Sequence, residues 1–555
     1  MMRFHFKRGM LVFLCLCMIF PLFASPALGL DTEEEQPQVA ENISHVKYIT
    51  ECEGFPTYGY FFDGQVLYGG KSTGNGHFTV EHADGVGSIY IIFQEEFGPY
   101  KVINNDTGIE VTVGEGYFLH DFLNMQELFG TCPKSVTVRF SGNVAQINEM
   151  YLFTPGQVPD FVQQWEMPAD GETDLVLFST HGDDEQLFFA GALPYYGGEL
   201  GYQVQVVYMT NHWNNSSIRI HEMLNGLWAV GVKAYPVFGE YEDFKAGDLK
   251  TAYEKFNNLG WSKEHILGFV VEQMRRFKPK VVLAHDFDGE YRHGQHMVYA
   301  DMVAKALEVS NDPAQFPDTA NLYGVWDVPK AYFHLYEENA IVMDWDQPLE
   351  SFDGETAFEV SINRGFQCHK TQIEDFAWYY RGCKKAIEVK EYGPCYYGLY
   401  RTTVGPDVEK NDFFENVNTH AQDKRMEQEK LEQEQQAQLE KEQQAQLEKE
   451  MQAQQEKERQ EQQEKERLEK EQQEQLEKER LEQQKKDQLA QLEKERLEAQ
   501  QKEQQRQDQL AQNTQHTWLL IIALVIAAAM IVCVCAMITL LRHEKHRKKR
   551  RRKNI

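Results

Sequence analysis

Asp174-Leu-Val-Leu-Phe-Ser-Thr-His-Gly-Asp-Asp-Glu185 is the stretch on which the fold turns. Its first half is an unbroken apolar run of strand length. The lack of polar alternation predicts a strand buried on both faces, as in parallel sheets covered by helices. The apolar Leu187-Phe-Phe-Ala-Gly191 follows its acidic end. Two runs of the same kind lie downstream, Tyr202 to Thr210 and Lys280-Val-Val-Leu-Ala284, with helical periodicity between them, as in Lys263 to Arg276. Strand, helix and strand in repetition predict an α/β fold over 170–417, a Rossmann-like doubly wound parallel sheet.

Before this unit, residues 31–165 change rhythm. Short β-rich runs such as Ser88-Ile-Tyr-Ile-Ile-Phe93 and Ser135-Val-Thr-Val-Arg-Phe140 are separated by Gly, Asn and Asp turns. That spacing predicts a β-sandwich, either a carbohydrate-binding module or a spacer. After it, residues 421–513 are mostly Gln, Glu, Lys, Arg, Leu and Ala, with a Gln-Leu-Glu-Lys-Glu-Gln-Gln-Ala unit recurring around Leu439 and Leu447. These residue types favour helix. A leucine every eight residues drifts around the helix and makes a poor coiled-coil seam. The expectation is a solvated single-helix stalk of roughly 140 Å at 1.5 Å per residue, ahead of a weak oligomer or a disordered segment.

The two ends suggest export and anchoring. Residues 1–29 read as a signal peptide, with Arg3, Lys7 and Arg8 before an apolar run from Met10 to Phe23 and small residues at Ala27-Leu-Gly29. Residues 518–541 are uncharged and apolar, long enough to cross a bilayer. The tail 542–555 carries nine Lys or Arg against one Glu, which places it in the cytoplasm and the preceding domains outside the cell membrane. The formal net charge is -30, and most of it falls on residues 30–420. So acidic a body excludes nucleic acid as a partner. Five cysteines fall in the exported part, Cys52, Cys132, Cys368, Cys383 and Cys395. The odd number leaves at least one without an intramolecular disulfide, and no CxxC pair suggests a thiolate metal site.

Two segments carry chemistry. In Thr180-His-Gly-Asp-Asp-Glu185, His181 and Asp184 stand three apart in a turn between strand and helix. In His285-Asp-Phe-Asp-Gly-Glu-Tyr-Arg-His-Gly-Gln-His296, His293 and His296 stand three apart after another buried strand. Sites in parallel sheets form at the C-terminal ends of strands. Imidazole and carboxylate from two such ends suit a zinc ion.

These segments resemble the PIG-L/LmbE family of zinc-dependent N-acetylglucosamine deacetylases. The family's His-Pro-Asp-Asp-Glu corresponds to His181-Gly-Asp-Asp-Glu185, and its Gly-His-Pro-Asp-His to Arg292-His-Gly-Gln-His296. Gln367-Cys-His-Lys-Thr-Gln372 and Val404-Gly-Pro-Asp407 look like segments of extracellular members. Both motif prolines are glycine here, Gly182 and Gly294. The resemblance implies His181, Asp184 and His296 as zinc ligands, Asp183 as general base, and His293 as oxyanion stabiliser or acid. Tyr291 and Arg219 are its candidates for holding substrate, against packed-aromatic and surface ion-pair readings, the latter with Glu222. The implied reaction is removal of an N-acetyl group from an amino sugar or glycan. The alternative is a non-catalytic cell-surface glycan-binding or adhesion protein.

Overall fold

The computed structural model describes residues 38–212, 217–469, 481 and 483–507. The chain parts into two compact units, Met1–Gln38 and Val39–Ile555. The signal-peptide, membrane-span and tail expectations (1–29, 518–541, 542–555) lie outside the described residues. Among the described residues no helix is long and apolar enough to cross a membrane.

The N-terminal part is a sandwich of antiparallel strands. They are β1 (Ile49–Glu53), β2 (Gly70–Lys71), β3 (Gly76–Glu81), β4 (Ser88–Phe93), β5 (Tyr100–Asn104), β6 (Ile109–Val113), β7 (His120–Asn124), β8 (Ser135–Phe140) and β9 (Gln146–Phe153). One sheet runs β1-β3-β8-β5-β6 and the other β2-β9-β4-β7. Phe78, Val138 and Phe140 from the first meet Ile89, Ile91 and Leu152 from the second in one apolar core. Every residue of β4 is buried. Its second face is covered too, because Tyr90 and Ile92 pack with Ala40, Phe153 and Val162.

The α/β sheet holds β10 (Leu175–Ser179), β11 (Val204–Thr210), β12 (Val237–Tyr241), β13 (Val281–Ala284), β14 (Lys330–His334), β15 (Ala340–Val342) and β16 (Tyr396–Thr402). Their order is β12-β11-β10-β13-β14-β16-β15. From β12 to β14 the pairing is parallel, as expected. The far edge corrects the all-parallel expectation, since β16 lies antiparallel to both β14 and β15. Helix Lys263–Phe277 realises the periodic segment, its first turn capped by the Ser262 side chain accepting from the His265 amide. From β10 the chain winds outward to β11 and β12, and then returns to β13 on the other side. The switch point therefore lies between β10 and β13, and ligands bind at such a crevice.

One further expectation changes. Within 421–513 the chain is helical up to Glu469, where helix His420–Glu469 ends, and again over residues 483–507. However, the Arg506 guanidinium donates to the Gln435 carbonyl. A continuous straight helix would hold those residues on the order of 100 Å apart, so the chain doubles back and the extended rod is not formed. Cys52, Cys132, Cys368, Cys383 and Cys395 are all free thiols, in keeping with the odd number.

Candidate metal centre

His181 and Asp184 leave the end of β10 in the turn that opens helix Asp184–Leu187, whereas His296 sits in the first turn of helix Gly294–Val309, after β13. The switch point brings them together. His181 Nδ1 lies 3.2 Å from Asp184 Oδ2 and 3.1 Å from His296 Nε2, and His296 Nε2 lies 3.2 Å from Asp184 Oδ2. Tetrahedral zinc with bonds near 2.0–2.1 Å separates its ligand atoms by about 3.4 Å. The triangle thus has the size such an ion requires.

The surrounding hydrogen bonds decide whether these atoms are free to bind a cation. His296 Nδ1 donates to Glu290 Oε2 at 2.7 Å, which leaves Nε2 as a bare lone pair. Gln295 is fixed because its Nε2 donates to the Glu242 carbonyl at 2.8 Å and its Oε1 accepts from the Phe244 amide at 2.9 Å. That oxygen stands 3.3 Å from His181 Nε2, and Asp243 Oδ1 stands 3.4 Å from it. Two acceptors there put the His181 proton on Nε2 and turn the Nδ1 lone pair toward Asp184. In these neutral tautomers two imidazole lone pairs and the Asp184 carboxylate converge on one point. Asp184 Oδ1 is buried without a hydrogen-bond partner. The donor set fits zinc.

The electrostatics point the same way. Burial alone would depress His181 and His296, but Asp243 and Asp184 drive His181 well up, and Asp184 leads the groups that bring His296 to about 9. Burial would raise Asp184, yet His296 and His181 hold it well below the usual carboxylate range. A site that draws a proton onto its imidazoles offers the same attraction to a metal cation.

Among the described residues, ligand atoms of His181, His293 and His296, and of Asp184, His285 and His296, also group closely enough to hold an ion. Hydrogen bonds distinguish the three proposed ligands from their neighbours. His285 Nε2 already accepts the Thr180 amide at 2.9 Å, and its Nδ1 donates to Glu290 at 2.8 Å. His293 caps helix Gly294–Val309, its Nδ1 accepting from the Gln295 amide at 3.3 Å. Its proton is therefore on Nε2, a donor rather than a ligand. Burial, then the neighbouring His181 and His296, lowers the His293 pKa to about 2, so the ring is neutral.

Asp183 is buried in a backbone conformation costly for a side chain, with φ 132°. Three contacts hold it. Its amide donates to Glu185 Oε2 at 2.9 Å, the Arg219 guanidinium donates to the Gly182 carbonyl, and Arg219 Nη1 stands 3.6 Å from Asp183 Oδ2. Burial pushes the Asp183 carboxyl up to about 7, against the pull of Arg219. Arg219 and Glu222 are both buried and do not form the surface pair expected of them. Arg219 serves the acidic turn, and Glu222 accepts from Thr371 through the amide at 3.0 Å and the hydroxyl at 2.7 Å. Tyr291 packs edge-on against His293 and His296, with centroids 5.4 and 5.3 Å away. Asp407 is structural, accepting from Lys330 Nζ and the Tyr332 hydroxyl at 2.5 Å each.

Sequence reasoning missed Glu290, His285, His334 and Asp243. The Glu290 carboxylate joins three imidazoles, with Oε2 on His285 and His296 and Oε1 on His334 Nδ1 at 2.7 Å. Only Glu290 and His285 carried a signal, as members of the second motif. Both motif glycines have local reasons. A Cβ on Gly182 would meet the Met223 side chain at 2.1 Å, and the Gly294 amide donates to the Ala246 carbonyl at 2.8 Å.

An α/β switch point with two histidines and one aspartate converging defines a candidate zinc-hydrolase centre. Residues 176–307 match the family model PIG-L, described as GlcNAc-PI de-N-acetylase; the α/β domain is PIG-L/LmbE-like. A 1D-myo-inositol 2-acetamido-2-deoxy-alpha-D-glucopyranoside deacetylase of Rhodococcus jostii is 25% identical over 192 residues, 31% of this chain and 64% of that protein. The protein of the same name from Mycobacterium leprae is 28% identical over 202 residues, 30% of this chain and 62% of its own length. The chain thus spans under two thirds of the length of these relatives. The structure of N,N'-diacetylchitobiose deacetylase from Pyrococcus horikoshii aligns at 16% identity over 40% of this chain and 83% of that one, with TM-score 0.27.

Proposed function

We propose that this chain is a zinc-dependent hydrolase that removes the acetyl group from N-acetylglucosamine-type sugars. The convergence of His181 Nδ1, Asp184 Oδ2 and His296 Nε2, the two imidazoles each held by an acceptor on the other ring nitrogen, carries this reading. Bound zinc would supply Lewis acidity, polarising the acetamide carbonyl and acidifying water. Asp183 takes the proton of the attacking water; a carboxyl near 7 is suited to that role at neutral pH. Arg219 holds that carboxylate and its turn. The His293 Nε2 proton faces the developing oxyanion or leaving amine, and Tyr291 forms the aromatic wall beside it. Water adds to the carbonyl carbon, the C–N bond breaks, and acetate and free amine leave.

The test is metal content and acetate release, measured together. The native chain should hold about one zinc and release acetate from N-acetylglucosamine substrates. Asp183→Asn should keep the zinc and lose roughly 10²- to 10⁴-fold in rate. Near-native release by zinc-loaded Asp183→Asn would remove the base and the mechanism with it.

The charge asymmetry around residues 518–541 supports a location for this reaction outside the cytoplasm, with tail 542–555 inside. Protease added to intact cells should then digest residues 170–417. Protection of that region until lysis would reverse the topology.

A further inference from the structure

A cavity of about 1620 Å³ opens between the sandwich and the α/β domain. None of the metal-centre residues lines it. Its floor is the outer face of β7 and β9 on either side of β4, where Phe122 and Tyr151 are half-buried, whereas Tyr90 of β4 is buried. Its opposite wall includes helix Ile218–Ala229, with Asn225 and Trp228. Drug-sized ligands occupy roughly 300–1,000 Å³, so this groove takes something longer. Carboxamides recur in the lining, with Gln157, Gln164, Asn225 and Gln367 exposed and Gln163 buried behind Asn225. Charges are balanced, with Asp160, Glu166 and Asp353 against Lys233, Arg364 and Lys370.

We infer that this groove is a second binding site, for a neutral oligosaccharide chain, separate from the metal centre. A carboxamide offers a donor and an acceptor side by side, matching hydroxyl and acetamide groups that do the same. The aromatic rings supply flat apolar faces for the C–H surfaces of sugars. The exposed ring of Phe161 lies 5.0 Å from that of Tyr151, tilted 64° to it, and adds a second apolar face beside it. Asn225 is exposed on its helix, and its Oδ1 accepts from Gln163 Nε2 at 2.5 Å. That contact orients the amide and leaves its NH2 to a ligand. A polyanion finds no surplus of cations here. Binding here does not depend on deacetylation, so it stands or falls separately from the catalytic reading.

Titration calorimetry on the full chain carrying Asp183→Asn, which suppresses turnover, tests this with three probes: the hexamer of N-acetylglucosamine, cellohexaose and hyaluronan oligomers. At least one neutral hexamer should bind with a Kd below about 1 mM, and hyaluronan should bind more weakly. Phe161→Ala and Asn225→Ala change exposed side chains and leave the cores intact. Each should weaken the neutral ligand by about tenfold, as for a principal contact residue. No saturable binding of either neutral hexamer would overturn the inference, and so would unchanged affinity in both variants or preference for hyaluronan.

Discussion

Replacing Glu290 by glutamine should weaken zinc binding without touching a ligand. Glu290 is fully buried and accepts from three imidazole Nδ1 atoms at 2.7–2.8 Å. Burial alone would raise its pKa, but His285 and the bonds from all three rings hold it well below the usual range, so it is a carboxylate. Glutamine keeps the shape but exchanges one acceptor oxygen for an NH2 donor. If the NH2 replaces Oε2, His285 and His296 both face a donor. His296 is then driven to the tautomer with its proton on Nε2, where the metal bond must form. If the NH2 replaces Oε1, the conflict moves to His334, and the charge that makes His296 a stronger ligand is still gone. Loss of such a partner typically costs 10- to 100-fold in metal affinity, about 1.4–2.7 kcal/mol. Competition with a chromophoric chelator measures this directly, and far-ultraviolet circular dichroism checks the fold. His334→Asn is the companion variant, because His334 uses the other carboxylate oxygen and leaves His296 its bond. It should lower stability more than zinc affinity. Native zinc affinity in a folded Glu290→Gln chain would refute the claim that this carboxylate sets the ligand.

Further outcomes follow from the same geometry. His293→Ala should keep zinc and lose turnover more than substrate affinity, as for a contact made mainly in the transition state; loss of zinc would make His293 a ligand. Gly294→Pro should weaken zinc binding, because it removes the amide that holds Ala246 and crowds the Asp248 carbonyl, which lies 2.8 Å from any Cβ. Lys330→Met should destabilise the fold by about 3–5 kcal/mol, as it strands the buried Asp407 carboxylate; a melting temperature within a degree of native would contradict this. Burial pushes Asp121 up to about 6, against the Tyr100 hydroxyl bond at 2.6 Å. An acid whose folded pKa is raised loses stability as pH climbs from its unfolded value near 4 to about 6. Asp121→Asn should therefore gain on the native chain in melts between pH 4 and 7, and a constant difference would show that Asp121 does not titrate this way.

The parallel strands were legible because burial on both faces writes an unbroken apolar run, as in β10 and β13. The antiparallel β16 was not, since Tyr396–Thr402 carries a mixed burial pattern and its direction is set by pairing with β14. The three proposed ligands were legible because each lies in a motif that follows a buried strand, His181 and Asp184 directly after β10 and His296 twelve residues after the end of β13 at Ala284. Their supports were hidden. His334 reaches Glu290 across 44 positions, and Gln295 reaches Phe244 across 51. The strained φ of Asp183 leaves no mark in composition. The stalk misled because helix propensity describes local backbone preference. It carries no information on whether a polar helix runs on or doubles back, as the Arg506 contact with Gln435 requires.

The departures from the family motif at 294 and 295 make sense together. With glycine at 294 the backbone amide is present, and it binds the Ala246 carbonyl. With glutamine at 295 a neutral side chain can both donate to Glu242 and accept from Phe244, which an aspartate cannot do. These bonds fasten residues 242–248 over the centre, and that loop brings Asp243 to 3.4 Å from His181 Nε2. A carboxylate at 295 would lie close to the Glu242 carbonyl and repel it. Here the negative charge behind His181 comes instead from Asp243, with Gln295 as its neutral companion. The centre thus keeps a charged group behind each imidazole ligand, Glu290 behind His296 and Asp243 behind His181. The charge behind His181 comes from the loop between β12 and the next helix.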